Sequence, residues 1–335
     1  MVDKRLILAV AGSGKTRLII EKLNTEKRFL ILTYTNNNYE LIKRRVLNKF
    51  GYIPKNINII KFFDFLYTFC CKPFLYFKYN FKGIYWENAS EASRFKKDLS
   101  KFMTKNHLLY HNRISQFLEE TGTVKDIIEK LELFYDYFII DEFQDLGGHD
   151  FNLIMQISKA NINFLFVGDF YQHTYTTSND GNVNINIYKD YKKYIKLIGD
   201  NKILVDVETL KRSYRCSPTI CNFVKENLGI NINSAKTAET KVELIEDKTR
   251  IEEIFANDNI IKLVYRGANN LPFYSKNWGD SKGEDDYLDT CIILNKTTTK
   301  LFKKNKLSEL APLSKNKLYV ALTRTKTDCY IIKEE

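Results

Sequence analysis

Short apolar runs alternate along the chain with stretches in which apolar positions recur every three to four residues. The runs are Leu6–Val10, Phe29–Thr33, Ile57–Lys61, Tyr137–Asp141 and Phe164–Gly168. Between them, Lys15–Asn24 places Leu18, Ile19 and Leu23 on one side, and Tyr39–Phe50 and the aromatic Phe62–Cys71 carry the same helical spacing. Strand-length apolar runs separated by helices predict an α/β fold with a parallel sheet covered by helices. A second series of strands, Val242–Ile245, Ile260–Tyr265, Thr290–Leu294 and Tyr330–Ile332, follows from about Val205, with a polar loop at Asn231–Thr240. The expected domains are therefore 1–204 and 205–335.

One stretch breaks the rhythm. Lys72–Leu133 is helical in pattern and reads as an insertion, at about 72–133, between two strands of the first sheet. It opens with Phe74, Tyr76, Phe77, Tyr79, Phe81, Tyr85 and Trp86, interleaved with Lys72, Lys78 and Lys82. Such a mixture suits either the core of a small subdomain or a surface that stacks bases and contacts phosphates. The residues leave both readings open.

Composition narrows the partner. The 335 residues carry 52 Lys and Arg against 41 Asp and Glu, a net charge of +11, which favours an anionic partner or reflects only an AT-rich genome. The apolar run at Arg5–Val10 is too short for a signal peptide core or a membrane span, so no membrane role is expected. Six Cys stand apart with no C-x-x-C pair, which speaks against a zinc or cluster framework and fits reduced thiols in a cytoplasm.

The chemistry lies at the ends of the predicted strands. Ala9-Val10-Ala11-Gly12-Ser13-Gly14-Lys15-Thr16 follows the first strand and opens the first helix. Small residues there let backbone N–H groups of Gly12, Ser13 and Gly14 close around phosphates at the positive end of a helix. Lys15 would neutralise the outer phosphates, and Thr16 would ligate Mg²⁺. The first position of the usual loop is Ala9 rather than Gly. About 125 residues later, Asp141-Glu142-Phe143-Gln144-Asp145 ends another strand. Asp141 would hold the metal, and Glu142 would orient and deprotonate an attacking water. ATP and Mg²⁺ are the expected ligands, and open α/β sheets bind such ligands at the carboxyl ends of their strands.

With these segments in view, the chain resembles the UvrD/Rep family of superfamily 1 DNA helicases. Thr33-Tyr34-Thr35-Asn36 and Phe62-Phe63-Asp64-Phe65-Leu66 are similar to that family's first single-strand contact segments. Val167-Gly168-Asp169-Phe170-Tyr171-Gln172 resembles its coupling motif, and Leu210-Lys211-Arg212-Ser213-Tyr214-Arg215 the segment that opens its second domain. Ser281-Lys282-Gly283-Glu284 and Leu318-Tyr319-Val320-Ala321-Leu322-Thr323-Arg324 resemble its last two. The resemblance covers most of the chain and implies two RecA-like P-loop domains with parallel sheets flanked by helices.

It also implies roles. Arg215 and Arg324 would act as arginine fingers from across a domain cleft, a device worth about 10³–10⁵ in rate. Gln144 and Gln172 would sense the γ-phosphate. Tyr214 would stack on adenine, and Glu284 would contact the nucleotide. Thr33, Tyr34, Thr35, Asn36, Phe62, Phe63 and Tyr175 would contact nucleic acid.

Departures from the family pattern are specific. Only eight residues precede Ala9, so no glutamine motif stands before the loop. After Gln172, Thr177 and Ser178 occupy the places of the family's Trp and Arg, although Tyr175 is kept. About 65 residues separate Arg215 from Ser281, too few for a large second insertion. The expected function is ATP-dependent translocation on single-stranded or tailed DNA, with 3′–5′ unwinding. The alternative is a DNA-stimulated ATPase that senses ends or single strands for a nuclease or replication partner. A catalytically silent binder is disfavoured by Lys15, Glu142, Arg215 and Arg324. A compact, AT-rich version suits a bacterial or phage-infected cell, in phage replication or anti-phage defence.

Overall fold

The computed structural model describes residues 2–174, 183–284 and 286–334. It divides into two compact units. The first gathers the described residues within Met1–Ile7, Thr16–Val167 and Tyr175–Val205, and the second those within Leu8–Lys15, Gly168–Thr174 and Asp206–Glu335.

A six-stranded sheet runs in the order Ile57–Lys61, Phe29–Thr33, Tyr137–Ile140, Asn163–Gly168, Lys4–Leu8 and Leu204–Asp206. Phe29–Thr33 pairs in parallel with both Ile57–Lys61 and Tyr137–Ile140, and the latter in parallel with Asn163–Gly168. Every residue of Phe29–Thr33 is buried, as expected for a central strand covered on both faces. The second unit holds a five-stranded parallel sheet in the order Val242–Ile245, Cys329–Lys333, Asp289–Leu294, Ile260–Val264 and Ser275–Asn277. Ile260–Val264 is also buried throughout. Its one cation, Lys262, carries its amine along the sheet to the Asn257 carbonyl at 2.7 Å, and burial lowers its pKa.

The expected α/β organisation is present, with local differences that have physical causes. The first strand is Lys4–Leu8, not Leu6–Val10, because Val10 turns away to donate to the Leu210 carbonyl at 3.0 Å. The first helix stops at Lys22 rather than Asn24. The Asn24 side chain accepts from the amides of Glu26 and Lys27 and so forms a turn in place of another helical residue. The second helix begins earlier than expected, at Asn36, because Thr35 caps it through the Asn38 amide at 3.2 Å. Gly51, in the left-handed region, ends it.

Beyond Lys61 the chain runs through a short helical turn into a π-helix at Phe65–Cys71 and then the helix Lys72–Tyr79. The stretch expected to be a helical insertion is helical at Lys72–Tyr79, Ile114–Glu120 and Val124–Phe134. Between these it forms 3-10 turns and a parallel two-stranded ladder, Gly83–Tyr85 with Leu108–Tyr110. Its aromatic cluster splits in the same way. Phe81 is core, whereas Phe77 and Trp86 are exposed by 92% and 66%. Besides that ladder, four short strands escaped the sequence pattern: Leu204–Asp206 and Ser275–Asn277 at sheet edges, and Asn233–Ser234, within the expected loop, paired with Arg212–Ser213.

All six cysteines are free and buried. Burial pushes the thiols of Cys71, Cys221 and Cys329 up to about 12. Titration of the native protein with a chromogenic disulfide at mildly alkaline pH should therefore show no rapidly reacting thiol, and denaturant should release all six. Fast reaction of two or more thiols in the native state would contradict this packing.

Candidate nucleotide and nucleic-acid site

The loop after the first strand has the backbone that phosphate binding requires. Gly12 and Gly14 have φ of +70° and +92°, values that L side chains rarely adopt. A Cβ at Gly12 would also lie 2.5 Å from Arg215 Cβ and 2.9 Å from Ser213 Oγ, so glycine is required there twice over. Ser13 Oγ is buried and finds no hydrogen-bond partner among the described residues. An orphaned hydroxyl of this kind costs about 1–3 kcal/mol, and it suits a loop whose missing partner is a phosphate oxygen. Lys15 and Thr16 follow, half-buried, at the start of the helix Lys15–Lys22. These residues fit a nucleoside triphosphate with Mg²⁺.

Within the second unit the loop is bonded to three other motifs. The Tyr214 amide donates to the Gly12 carbonyl at 2.9 Å, leaving the Tyr214 ring 65% exposed. Ser213 Oγ accepts from the amides of Arg215 and Cys216, which fixes the turn that carries Arg215. The Arg215 guanidinium donates to the Thr323 carbonyl at 3.2 Å. Arg324, next along the chain, is buried and donates to the Glu284 carbonyl at 2.8 Å. The Glu284 carboxylate is held by Lys276 and Tyr287. At the centre, the buried Tyr319 hydroxyl accepts from the Ala11 amide at 2.9 Å and donates to Asp169 Oδ2 at 3.0 Å. Asp169 in turn caps the 3-10 turn that bears Gln172. The sequence motifs named Tyr319 and Asp169 without showing this bridge. Nothing beside either residue in the sequence signals it.

In the first unit, Asp141 is buried at the end of the strand Tyr137–Ile140. Glu142 is held at φ +55°, a left-handed conformation that costs a non-glycine residue about 1–3 kcal/mol. Its carboxylate accepts from the buried Gln144 amide group, and its own N–H donates to Asp141 Oδ1 at 3.0 Å. Strain at such a position fits a residue aimed by its surroundings rather than by local preference.

The expected nucleic-acid residues separate into two kinds. Thr35 and Asn36 are exposed at the start of the second helix, beside a groove of about 300 Å³ lined by Asn36, Tyr39, Lys61 and Asp64. Thr33 Oγ1 is buried with no hydrogen-bond partner among the described residues. Phe62 is buried and stacks on Tyr34 at 5.0 Å, so it packs the core, whereas Phe63 is half-buried at its rim. Tyr175, with Thr177 and Ser178, lies outside the described residues.

A nucleotide loop with an aspartate–glutamate strand end, on parallel sheets covered by helices, defines a P-loop nucleoside triphosphatase of RecA-like architecture. A family model of an AAA domain matches residues 3–178, and a model of the viral superfamily 1 RNA helicase core domain matches residues 99–333. The chain belongs to the superfamily 1 helicases. It is 28% identical over 233 residues to the ATP-dependent DNA helicase Rep of Buchnera aphidicola subsp. Schizaphis graminum, covering 51% of this chain and 35% of that protein. Its fold is similar to arterivirus nonstructural protein 10, a helicase solved with DNA, at a TM-score of 0.52 and 11% identity, covering 98% of this chain and 60% of that one. The chain thus spans about a third of the Rep relative and about three fifths of the viral one. No described helix is long and apolar enough to cross a membrane.

The Tyr319 bridge yields a direct test. Tyr319→Phe removes a donor from the buried Asp169 and an acceptor from the Ala11 amide, and it should lower stability by about 1–3 kcal/mol in urea unfolding. An unchanged midpoint would mean that the bridge contributes nothing.

Proposed function

We propose that this chain hydrolyses ATP and uses the cycle to translocate on single-stranded nucleic acid, single-stranded or tailed DNA first, unwinding with 3′–5′ polarity as the UvrD/Rep resemblance implies. The observation that carries it is the glycine loop, with two positive-φ glycines, an orphaned serine hydroxyl and the Tyr214–Arg215 segment bonded against it. In this reading 1–204 and 205–335 are the two RecA-like domains. Gly12, Ser13, Gly14 and Lys15 bind the phosphates, and Tyr214 stacks on the base. Thr16 and Asp141 would hold Mg²⁺, which would supply charge neutralisation at the phosphates.

Glu142 takes the proton of the attacking water, and Gln144, hydrogen-bonded to it, aligns its carboxylate. Arg215 and Arg324 stabilise the charge that develops on the transferred phosphoryl group, with Gln172 and Glu284 completing the site. Thr33, Tyr34, Thr35, Asn36, Phe62, Phe63 and Tyr175 form the nucleic-acid side, with the buried Phe62 acting through its packing.

A second reading, a DNA-stimulated ATPase that serves a partner such as a nuclease without unwinding, draws on the altered run after Gln172. Both readings give the same hydrolysis and differ only in strand separation.

ATP turnover should rise strongly with single-stranded DNA and fall by about 10²-fold or more in Glu142→Gln, which keeps the shape of the base and removes its proton affinity. Parallel assays with duplex DNA and with RNA identify the preferred strand. Turnover that ignores every nucleic acid would sink the translocase, and stimulated turnover without separation of a 3′-tailed duplex would select the sensor. Binding should also weaken steeply with salt, since each phosphate contact releases counterions.

A further inference from the structure

We propose that Trp86, backed by Phe63 and His111, is a stacking platform for a base of single-stranded nucleic acid. The proposal rests on the translocase reading and assigns a contact that the helicase-like motifs do not contain. Trp86 directly follows the strand Gly83–Tyr85, and His111 directly follows its parallel partner, Leu108–Tyr110. The register pairs Tyr85 with Tyr110, so the next residue on each strand emerges at the same end of the ladder. The indole of Trp86 and the imidazole of His111 accordingly stack at 5.9 Å and 30°. Trp86 also meets the Phe63 ring at 4.8 Å and a tilt of 41°, and Phe63 stands two residues past the carboxyl end of the strand Ile57–Lys61.

The indole is thus held by contacts with two rings, yet 66% of the residue meets solvent. A large aromatic that is held but uncovered contributes little to the core. It is preorganised for a flat partner, because its rotamer freedom is already lost.

Charge identifies the partner. Residues 61–113 carry ten Lys and Arg against four Asp and Glu, so this stretch of 53 residues supplies more than half of the +11 net charge of the chain. Lys72, Lys78 and Lys82 are all exposed. A solvent-facing aromatic within a cationic segment matches a strand that offers base faces and phosphates together. An apolar protein partner would be met poorly by the same surface.

The two tryptophans differ enough to make the test direct, since Trp278 is fully buried and Trp86 is exposed. A single-stranded oligothymidylate titrated into the full chain should quench the Trp86 part of the emission. The midpoint should match the Kd read by anisotropy of a labelled copy of the same oligonucleotide. Trp86→Phe should abolish the quench and hold Kd within about threefold, because a phenyl ring still stacks. Trp86→Ala should raise Kd about tenfold or more, with folding checked by circular dichroism. If the labelled strand binds while tryptophan emission stays constant, or Trp86→Ala binds like wild type, the platform is wrong and the translocase reading survives. Trp86 would then be a candidate for a protein contact. If neither DNA nor RNA binds, both fall together.

Discussion

The Tyr319 hydroxyl sits in a fully buried position and does two jobs at once, accepting from the Ala11 amide and donating to Asp169. Buried polar groups are expensive unless paired, and a buried carboxylate most of all. The donor that Asp169 receives from this hydroxyl therefore ties the turn bearing Gln172 to the helix Pro312–Leu322. The same oxygen anchors the amide that leads into the glycine loop. Thr323 and Arg324 lie one turn further along the chain, and the Thr323 carbonyl receives the Arg215 guanidinium. A single side chain so sets the register of the loop, the turn and both arginine segments. Its phenol has a pKa raised well above the usual range, chiefly by burial, with the Asp169 charge adding to the shift. Both effects favour the protonated phenol, the form that donates to Asp169.

Much of the fold was legible because its strands are continuous apolar runs. Phe29–Thr33 and Ile57–Lys61 appear as expected to the residue; the first is buried throughout and so has no room for exposed polar positions, and the second, at the sheet edge, keeps enough apolar residues to register. Ends were less legible, because they depend on partners elsewhere in the chain. Val10 leaves its strand for the Leu210 carbonyl, and nothing near Val10 in sequence announces it. The stop after Lys22 was written in Asn24, a turn-forming side chain inside an otherwise helical pattern. In the insertion, helical spacing hid a two-stranded ladder of only three residues per strand, too short for periodicity to register.

The site followed the same division. The residue types expected for phosphate and metal chemistry stand out by spacing alone, because a loop suited to phosphate is small and ends in a cation and a hydroxyl. Which aromatic faces solvent was not readable. Phe62 and Phe63 are neighbours of identical chemistry, yet one stacks on Tyr34 in the core and the other meets Trp86 at the surface. The choice is made by the helical turn at Phe62–Asp64, whose geometry sends successive side chains about 100° apart. The bond between Tyr319 and Asp169 spans 150 positions and has no local signature.

Three costly local features lie past the carboxyl ends of strands or at their last residue. Ser13 Oγ follows the strand Lys4–Leu8, Thr33 Oγ1 closes Phe29–Thr33, and Glu142 follows Tyr137–Ile140 with a left-handed backbone. Two are buried hydroxyls with no partner among the described residues, and the third is strained. Sheets of this kind can hold such features because the strands that precede them are hydrogen-bonded and largely buried. A chain selected for stability alone would place Ala at Ser13 and Gly at Glu142, and it would lose little by either change. At Ser13 the unpaired hydroxyl argues for a ligand that brings its own acceptor to the loop. A phosphate chain accompanied by a metal supplies acceptors of that kind. The strain at Glu142 then makes sense as preorganisation, since its carboxylate is already aligned by Gln144 before any substrate arrives.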